Sequence, residues 1–450
     1  LLNLPRETLM PPIPTDDPAS SRAVAQTGLH LAQRIEEFAW TFMIGITVLL
    51  LIRTGIVVVL ALRQYRRTQQ ALLEDSSVFK EPVSVIIAAY NESKVIASTI
   101  RSILASDYAG FFELIVVNDG STDSTAAIVA RLAAEDTRIR LISQNNAGKA
   151  HALNRAVEAA AYETVVMLDA DTQFQPETLR RLVAPLVQPD VGAVCGHIRV
   201  GNLTSLIARF QSLEYICGFN LDRRAYDYWN AITVVPGAIS AFKKQAIERA
   251  GGIIADTLAE DTDLTLHLHR TPYRIRYASR AIAYTEAPDT ARLLVRQRIR
   301  WAFGTLQCLW KHRGLLCSLE RPGLGFFSLP GVWFCHVFLV ALVPLVDMML
   351  LISISWGSGF SIIGYAIFFF ALEWLLALLG CFLEKEPLRA SLWIFPMRIL
   401  YRPLLCLSVW IAIIRALKGV WYGWGKIDRR GTVNVKYNIK ISQPAQRKAA

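Results

Sequence analysis

The sequence predicts an α/β domain with a mainly parallel sheet, inserted between membrane-spanning α-helices. Three observations carry this. Of the 450 residues 53% are hydrophobic, and the mean hydropathy of +0.33 is too high for a wholly soluble enzyme. Long apolar runs lie near both ends of the chain, around residues 38–62 and 324–416. Between them, from Pro82 to about Tyr284, short β-branched runs alternate with helical stretches, the pattern of successive βαβ units.

The segment Leu1 to Ser21 is rich in Pro and polar residues and lacks the basic start, apolar core and cleavage site of a signal peptide, so residues 1–37 read as an extracytoplasmic linker at the end of an upstream domain. Phe38 to Leu62 is apolar apart from Arg53 and long enough to cross a hydrocarbon core of roughly 30 Å. Arg63, Arg66 and Arg67 follow, and cationic flanks favour the cytoplasm, which places the domain at residues 63–290 inside. For Arg53, a polar partner at membrane depth and snorkelling fit equally.

Within the domain, Val83 to Ala89, Glu113 to Asn118, Arg138 to Ser143 and Thr164 to Leu168 are predicted strands, with helices near Ser93 to Ser106, Ser121 to Ala134 and Lys149 to Ala160. Gly192 to Val200 and Ile232 to Phe242 add strand-like pieces around a helical segment near Leu203 to Arg223. The strand at Thr164 ends in Asp169-Ala-Asp171, and carboxyl ends of strands are where open α/β sheets bind ligands. Two acids there repel unless a cation lies between them and an anion, so the pair reads as a hard-metal site for a diphosphate, with a solvated turn as the other reading.

The other strand ends suit a nucleotide. Tyr90 offers a ring to a base, Asp119 an acceptor for a base N–H, and Lys149 a point charge for phosphate, with Glu92 beside them. Ser121-Thr122-Asp123 fits a helix cap as well. No GxGxxG follows the first strand, which argues against a dinucleotide oxidoreductase. The net charge of +11 comes without a basic tract interleaved with aromatics, so the expected partners are a membrane surface and a phosphorylated substrate, and not nucleic acid. Seven cysteines show no metal spacing and read as reduced thiols.

Together these strand ends resemble family 2 glycosyltransferases of the GT-A fold. Val83 to Glu92, Val116 to Asp123, Asn146 to Asn154 and Val165 to Asp171 match the nucleotide-sugar half of that family; Ala259-Glu260-Asp261 stands where processive members carry Thr-Glu-Asp, and Gln297-Arg298-Ile299-Arg300-Trp301 matches their QxxRW. The texture is most similar to membrane synthases of poly-β-1,6-N-acetylglucosamine, and more distantly to chitin, hyaluronan and cellulose synthases. Asn118, Ala147 and Ala259 depart from the usual motif residues without removing a carboxylate or the Lys.

The resemblance implies a processive, inverting enzyme that polymerises a UDP-sugar, UDP-N-acetylglucosamine before others, and passes a β-linked polysaccharide across the cell membrane. It implies Mg2+ or Mn2+ held by Asp171 with Asp169, Asp261 as general base, and Tyr90, Glu92, Asp119, Lys149, Asp169, Gln297, Arg300 and Trp301 as substrate-binding residues. Leu258 gives Asp261 a partly apolar, pKa-raising setting; the alternative is that Glu260, Asp261 and Asp263 only stabilise a helix N-terminus. Trp301 fits a stacking platform for the acceptor sugar and an interfacial Trp alike, and Pro236-Gly237-Ala238 fits an acceptor-side loop or a simple turn. Fused relatives carry a polysaccharide deacetylase, expected here upstream of Leu1 or as an associated protein. A transferase using a lipid-linked acceptor and a nucleotide-sensing receptor are the competing classes; QxxRW followed by apolar spans disfavours the first, and a base beside a metal site the second.

Residues 291–323 read as QxxRW and interfacial helices, with spans expected near Val332 to Ser355, Phe360 to Phe382 and Leu404 to Ala416. Asp347 and Glu373 inside these runs fit a polar path or a helix–helix contact. Three crossings would leave the tail at residues 417–450 outside, whereas Lys418, Lys426, Arg429, Arg430, Lys436 and Lys440 favour the inside; Phe395-Pro396 to Arg402-Pro403 fits an interfacial segment.

Overall fold

The computed structural model describes residues 18–74, 79–342, 348, 359–419 and 429–433. The chain divides into two compact units, Leu1–Val58 and Val59–Ala450. The first helix, α1 (Pro18–Glu74), opens on a proline, which the first helical turn tolerates, and is continuous through the apolar run that follows. Its stretch Ile44–Gln70 is long and apolar enough to cross a membrane.

The second unit is built on one eight-stranded sheet of order β3-β2-β1-β4-β7-β6-β8-β5. The strands are β1 (Val83–Ala89), β2 (Phe112–Asp119), β3 (Ile139–Gln144), β4 (Thr164–Asp169), β5 (Gln173–Phe174), β6 (Val191–Val200), β7 (Ser240–Lys243) and β8 (Arg274–Thr285). The pairs β1 with β2, β1 with β4, β2 with β3 and β6 with β8 are parallel; β7 lies antiparallel between β4 and β6, and β5 antiparallel to β8. The mainly parallel α/β sheet is as predicted. Parallel strands are covered on both faces, which is why β1 and β4 read as unbroken apolar runs. Helices α2 (Ile96–Leu104), α3 (Thr125–Glu135) and α4 (Lys149–Ala159) follow β1, β2 and β3 in turn.

Two stretches differ from the prediction. Ile232 to Phe242 is a strand only over Ser240–Lys243; Pro236 lacks an N–H for a ladder and Gly237 approaches a lysine closely, so the preceding residues form a loop. The longest strand, β8, was not predicted because arginines punctuate it, yet its burial alternates strictly along all 12 residues. Helix α5 (Thr178–Val183) precedes β6, and between β6 and β7, α6 (Leu206–Glu214) and α7 (Leu221–Tyr228) are joined by a π-helical turn, Tyr215–Asn220. After β7 come α8 (Lys244–Arg249), α9 (Glu260–Leu268) and, beyond β8, the long α10 (Ala291–Lys311).

C-terminal to α10, Gly323–Leu342 and Ile367–Glu384 are long and apolar enough to cross a membrane, and Leu388–Leu400 meets Arg402–Leu417 at a bend of 52°. Pro403 sits at that break, where it cannot donate to the preceding turn. Glu373 is held by Arg398 at 3.3 Å and Arg402 at 2.8 Å, so of its two predicted uses the helix–helix contact is the one observed. Asp347 lies outside the described residues.

The last turns of α1 join the sheet through a buried ion pair. Asp227 at the end of α7 is 1% exposed and accepts from Arg276 Nε at 3.0 Å, Gln64 Nε2 at 3.2 Å and the Tyr277 N–H at 3.0 Å. Burial pushes the Asp227 carboxyl above its ordinary value, and Arg276 is the main opposing charge. Arg276→Leu is therefore expected to cost about 3–5 kcal/mol, the usual effect of leaving one member of a buried pair alone. Thermal unfolding of the detergent-solubilised protein checks this, with a much smaller loss expected in Arg276→Leu combined with Asp227→Asn.

Candidate active site

The strand β4 delivers Asp169 to the sheet edge, and the turn after it is pinned by Thr99 Oγ1 on the Ala170 carbonyl at 2.7 Å and by the Thr172 N–H on the Asp169 carbonyl at 3.0 Å. Lys149 opens α4, and its ammonium bridges Asp169 Oδ1 at 2.7 Å and Glu260 Oε1 at 2.8 Å. Asp119 shapes the loop that aims this lysine: it accepts from Gln144 Nε2 at 2.7 Å and from the N–H groups of Ala147 and Gly148, both at 2.9 Å. A carboxylate offers about four lone-pair sites, and these three contacts take most of them. Tyr90 closes β1, and the Glu92 N–H donates to Thr125 Oγ1 at 2.8 Å. Asp123 accepts the N–H of Thr125, the first residue of α3, at 3.0 Å, while the N-cap position itself is Ser124.

Asp261, at the start of α9, joins the same group. Its Oδ1 accepts the Thr262 N–H at 2.7 Å and its Oδ2 the Gly237 N–H at 3.4 Å. A Cβ on Gly237 would lie 2.9 Å from Lys149 Nζ, so a larger residue would have to displace the lysine ammonium. Burial raises the Asp261 pKa, the neighbouring charge of Glu260 adds to that, and Lys149 opposes it. Burial works the same way on Asp169, but there Lys149, Arg429 and Arg300 outweigh it and hold the carboxyl below its ordinary value. Two carboxylates of one cluster are thus pushed in opposite directions.

Asp171 meets a residue the sequence reading did not bring here. Arg429 Nε lies 2.9 Å from Asp171 Oδ2, and Thr285 Oγ1 donates to the same oxygen at 3.3 Å. The segment is clamped by Glu286, which accepts the N–H groups of Arg430 at 2.8 Å and Gly431 at 2.9 Å, while Arg429 Nη1 donates to its backbone carbonyl at 2.7 Å. Arg429 stands 258 residues from Asp171, and in the sequence it is one of several basic tail residues, so nothing local marks it. Burial raises the Asp171 pKa, with Arg429 the largest opposing charge and Asp169 and Glu286 adding to the rise.

The donors fit a hard divalent cation. Asp169 and Asp171 offer only oxygen, and both already attract fixed cations, Lys149 and Arg429. Asp263, His267 and His312 form a second group whose ligand atoms lie within 4.8 Å of one another. There Asp263 is held by His312 Nε2 at 2.7 Å and Lys311 Nζ at 2.9 Å, an ion network that locks α9 to the end of α10.

The QxxRW stretch lies in the middle of α10, which Thr290 caps. Gln297 is buried and accepts from Gln211 Nε2 at 3.2 Å; Arg298 is buried between Glu214 and Tyr401, with its guanidinium 4.3 Å from the Trp301 ring centroid. Gly304, one turn on, lets α10 meet the loop before α9: a Cβ there would lie 2.9 Å from that of Ala259. Gln297, Arg300 and Trp301 line one cavity of about 540 Å³ with Lys149, Asp169 and Asp261. Tyr90, Glu92, Asp119 and Asp171 stand outside its lining.

A mostly parallel sheet whose strand ends gather carboxylates, a lysine and a cavity is the architecture of a GT-A glycosyltransferase. Residues 84–251 match the family model described as Glycosyl transferase family 2, and the chain carries a domain of that family. It is 33% identical over 225 residues to a poly-beta-1,6-N-acetyl-D-glucosamine synthase of Staphylococcus aureus and 34% identical over 225 residues to one of Staphylococcus epidermidis. Each alignment covers 50% of this chain and 54% of the relative, so the chain spans about half the length of the curated relatives it matches. A mannosyltransferase from Pyrobaculum calidifontis, solved with GDP-Man and Mn2+, shares the fold at a TM-score of 0.57 and 23% identity, over 82% of this chain and 97% of that one.

A cation held at Asp171 would compete with Arg429. Charges about 4 Å apart repel by roughly 4 kcal/mol at an effective dielectric of 20, so Arg429→Ala is expected to tighten Mn2+ binding by at least about tenfold in the absence of nucleotide. Calorimetric titration of the purified protein checks this; unchanged affinity would place the ion away from Asp171.

Proposed function

We propose that the protein is a processive, inverting glycosyltransferase that extends a β-linked polysaccharide from a UDP-sugar, UDP-N-acetylglucosamine before others, and passes it through the membrane. The observation that carries this is the continuity of the catalytic cavity. From Lys149, Asp169 and Asp261 it runs past Trp301 to His336 and Val340 of the helix Gly323–Leu342 and to Leu405 and Val409 beyond the bend. An acceptor held in such a passage keeps its end at the carboxylates while its older units enter the apolar helices.

The chemistry follows from the opposed carboxylates. Asp261 takes the proton of the acceptor hydroxyl; that oxygen bonds to the anomeric carbon as the carbon–oxygen bond to the diphosphate breaks, and the electron pair leaves on phosphate. Attack opposite the leaving group inverts configuration. Asp171 with Asp169 would hold a divalent cation, which would supply Lewis-acid stabilisation to the diphosphate. Lys149 and Arg300 add fixed positive charge, Asp119 and Tyr90 bind the base, and Trp301 stacks on the acceptor ring.

Residues 429–433 contact the catalytic domain, so they lie on the same side of a membrane as that domain. An even number of crossings is then needed after α10. Gly323–Leu342 and the helix ending at Glu384 supply two, and the bent pair Leu388–Leu400 with Arg402–Leu417 lies at the interface, as the proline-broken sequence there allows. With Ile44–Gln70 as the first crossing, the domain stands on the cytoplasmic face of the cell membrane. A polysaccharide deacetylase is the partner in keeping with the resemblance.

The decisive experiment offers several UDP-sugars to purified membranes and analyses linkage and length of the product. Asp171→Ala and Asp261→Asn should each lower polymerisation by at least roughly a hundredfold in a folded protein, and only the first should weaken metal-dependent UDP binding. Because the raised pKa of Asp261 belongs to a group that must be ionised to act, the acid limb of kcat/KM should fall above the ordinary carboxylate range near 4, with activity lost as pH drops through it. A limb at or below that range would exclude Asp261 as the base. Trp301→Ala should shorten products and slow initiation, since one stacking contact is worth roughly 1 kcal/mol and counts most when few sugars are held. Chains of unchanged length at limiting UDP-sugar would remove Trp301 from the acceptor path.

A further inference from the structure

The opposite face of the sheet carries a second cavity. In β6, Ile198 lines the catalytic cavity, whereas its neighbours His197 and Arg199 point to the other face and line a separate space of about 260 Å³. A water takes about 30 Å³, so a phosphate with its ester carbons fits. Arg181, Arg224, Arg280 and Lys385 also line it, beside Gln69 of α1 and Glu384 at the end of the helix Gly359–Glu384.

The charges do not balance within the chain. Glu384 is the one carboxylate in the lining, and Arg224 Nε at 2.7 Å and His197 Nδ1 at 2.9 Å already engage it. Arg199 reaches Glu386 at 3.0 Å, and Arg181 stands 3.5 Å from Glu177. Arg280 donates to the neutral Gln69 at 2.9 Å, and among the described residues neither Arg280 nor Lys385 forms an ion pair. Burial holds the Arg181 guanidinium below its ordinary value, with Glu177 opposing and Arg180 and Arg280 adding to the fall.

Two further features concern single groups of this wall. His197 Nε2 is buried and meets no protein partner, while Nδ1 is committed to the Ser279 carbonyl and Glu384. Lys385 occupies φ +56° where Glu386 N–H to Cys381 O at 2.8 Å and Lys385 N–H to Phe382 O at 3.3 Å close the helix end. That backbone conformation favours glycine, and a lysine stands there with its side chain in the cavity lining.

We propose that this cavity binds the phosphate of an anionic phospholipid headgroup. The choice of lipid over a soluble phosphate rests on the membrane placement proposed above: the stretches Ile44–Gln70 and Ile367–Glu384 both end at the cavity, at the depth of headgroups. Occupation would tie β6 and β8 to the membrane surface from the face opposite the reaction.

The test uses the full chain, delipidated in detergent, offered phosphatidylglycerol and phosphatidylcholine in equal amounts and examined by native mass spectrometry. Wild type should retain phosphatidylglycerol preferentially. Lys385→Gly, which suits the backbone of that turn, should fold with an equal or higher Tm yet lose retention roughly fivefold, and Lys385→Gly with Arg280→Gln about twenty-five-fold. Equal retention by wild type and Lys385→Gly, or no headgroup preference in wild type, would overturn the proposal. A rise in Tm with inorganic phosphate that Arg280→Gln abolishes, without phosphatidylglycerol preference, would assign the site to a soluble anion and also overturn it. Failure of the membrane placement shows separately, as extraction of the protein from membranes by alkaline carbonate.

Discussion

The Lys149 ammonium, held between Asp169 and Glu260, is the contact on which the site depends. Five carboxylates converge at this edge of the sheet, Asp169, Asp171, Glu260, Asp261 and Glu286, and such a gathering is tolerable in a poorly solvated place only if cations are built in. Lys149, Arg300 and Arg429 are those cations, and they are fewer than the carboxylates, which leaves a deficit of positive charge. Burial answers the deficit in the bare protein by pushing Asp171 and Asp261 upward. A divalent cation held by Asp169 and Asp171 would offset the deficit in another way.

The fold around this contact was legible wherever one physical signal acted alone. β1 is predicted to the residue because Val83–Ala89 is buried on both faces and bounded by polar residues. β8 escaped because its exposed edge carries arginines that serve distant acids, Arg276 on Asp227 among them, and only partners unseen in the sequence explain charges in a strand. The loop before β7 was misjudged for a related reason: its apolar residues face a cavity instead of a ladder.

For the site, the groups on one strand end or one helix start could be read locally, since Asp169, Asp171, Lys149 and Asp261 each mark a chain turning at the same edge. Arg429 and Glu286 could not, because their importance lies in a contact spanning 143 residues or more. The same holds for Glu260, whose neighbour Asp261 drew the attention while Glu260 is the second hand on Lys149.

The structure also divides QxxRW by task. Gln297 and Arg298 spend their polar atoms inside the protein, on Gln211, Glu214 and Tyr401, and so fasten α10 to α6 and to the bent C-terminal pair. Arg300 and Trp301 are presented to the cavity from a helix fixed in that way, with Trp301 further oriented by the Arg298 guanidinium over its ring. Gly304 then brings the same helix against Ala259, immediately before Glu260 and Asp261. One rigid element therefore positions Trp301, the Arg300 guanidinium near Asp169 and the approach to Asp261, and a shift of α10 would move all three together. The distance between the Trp301 ring and the Asp261 carboxyl is for that reason set by helix packing.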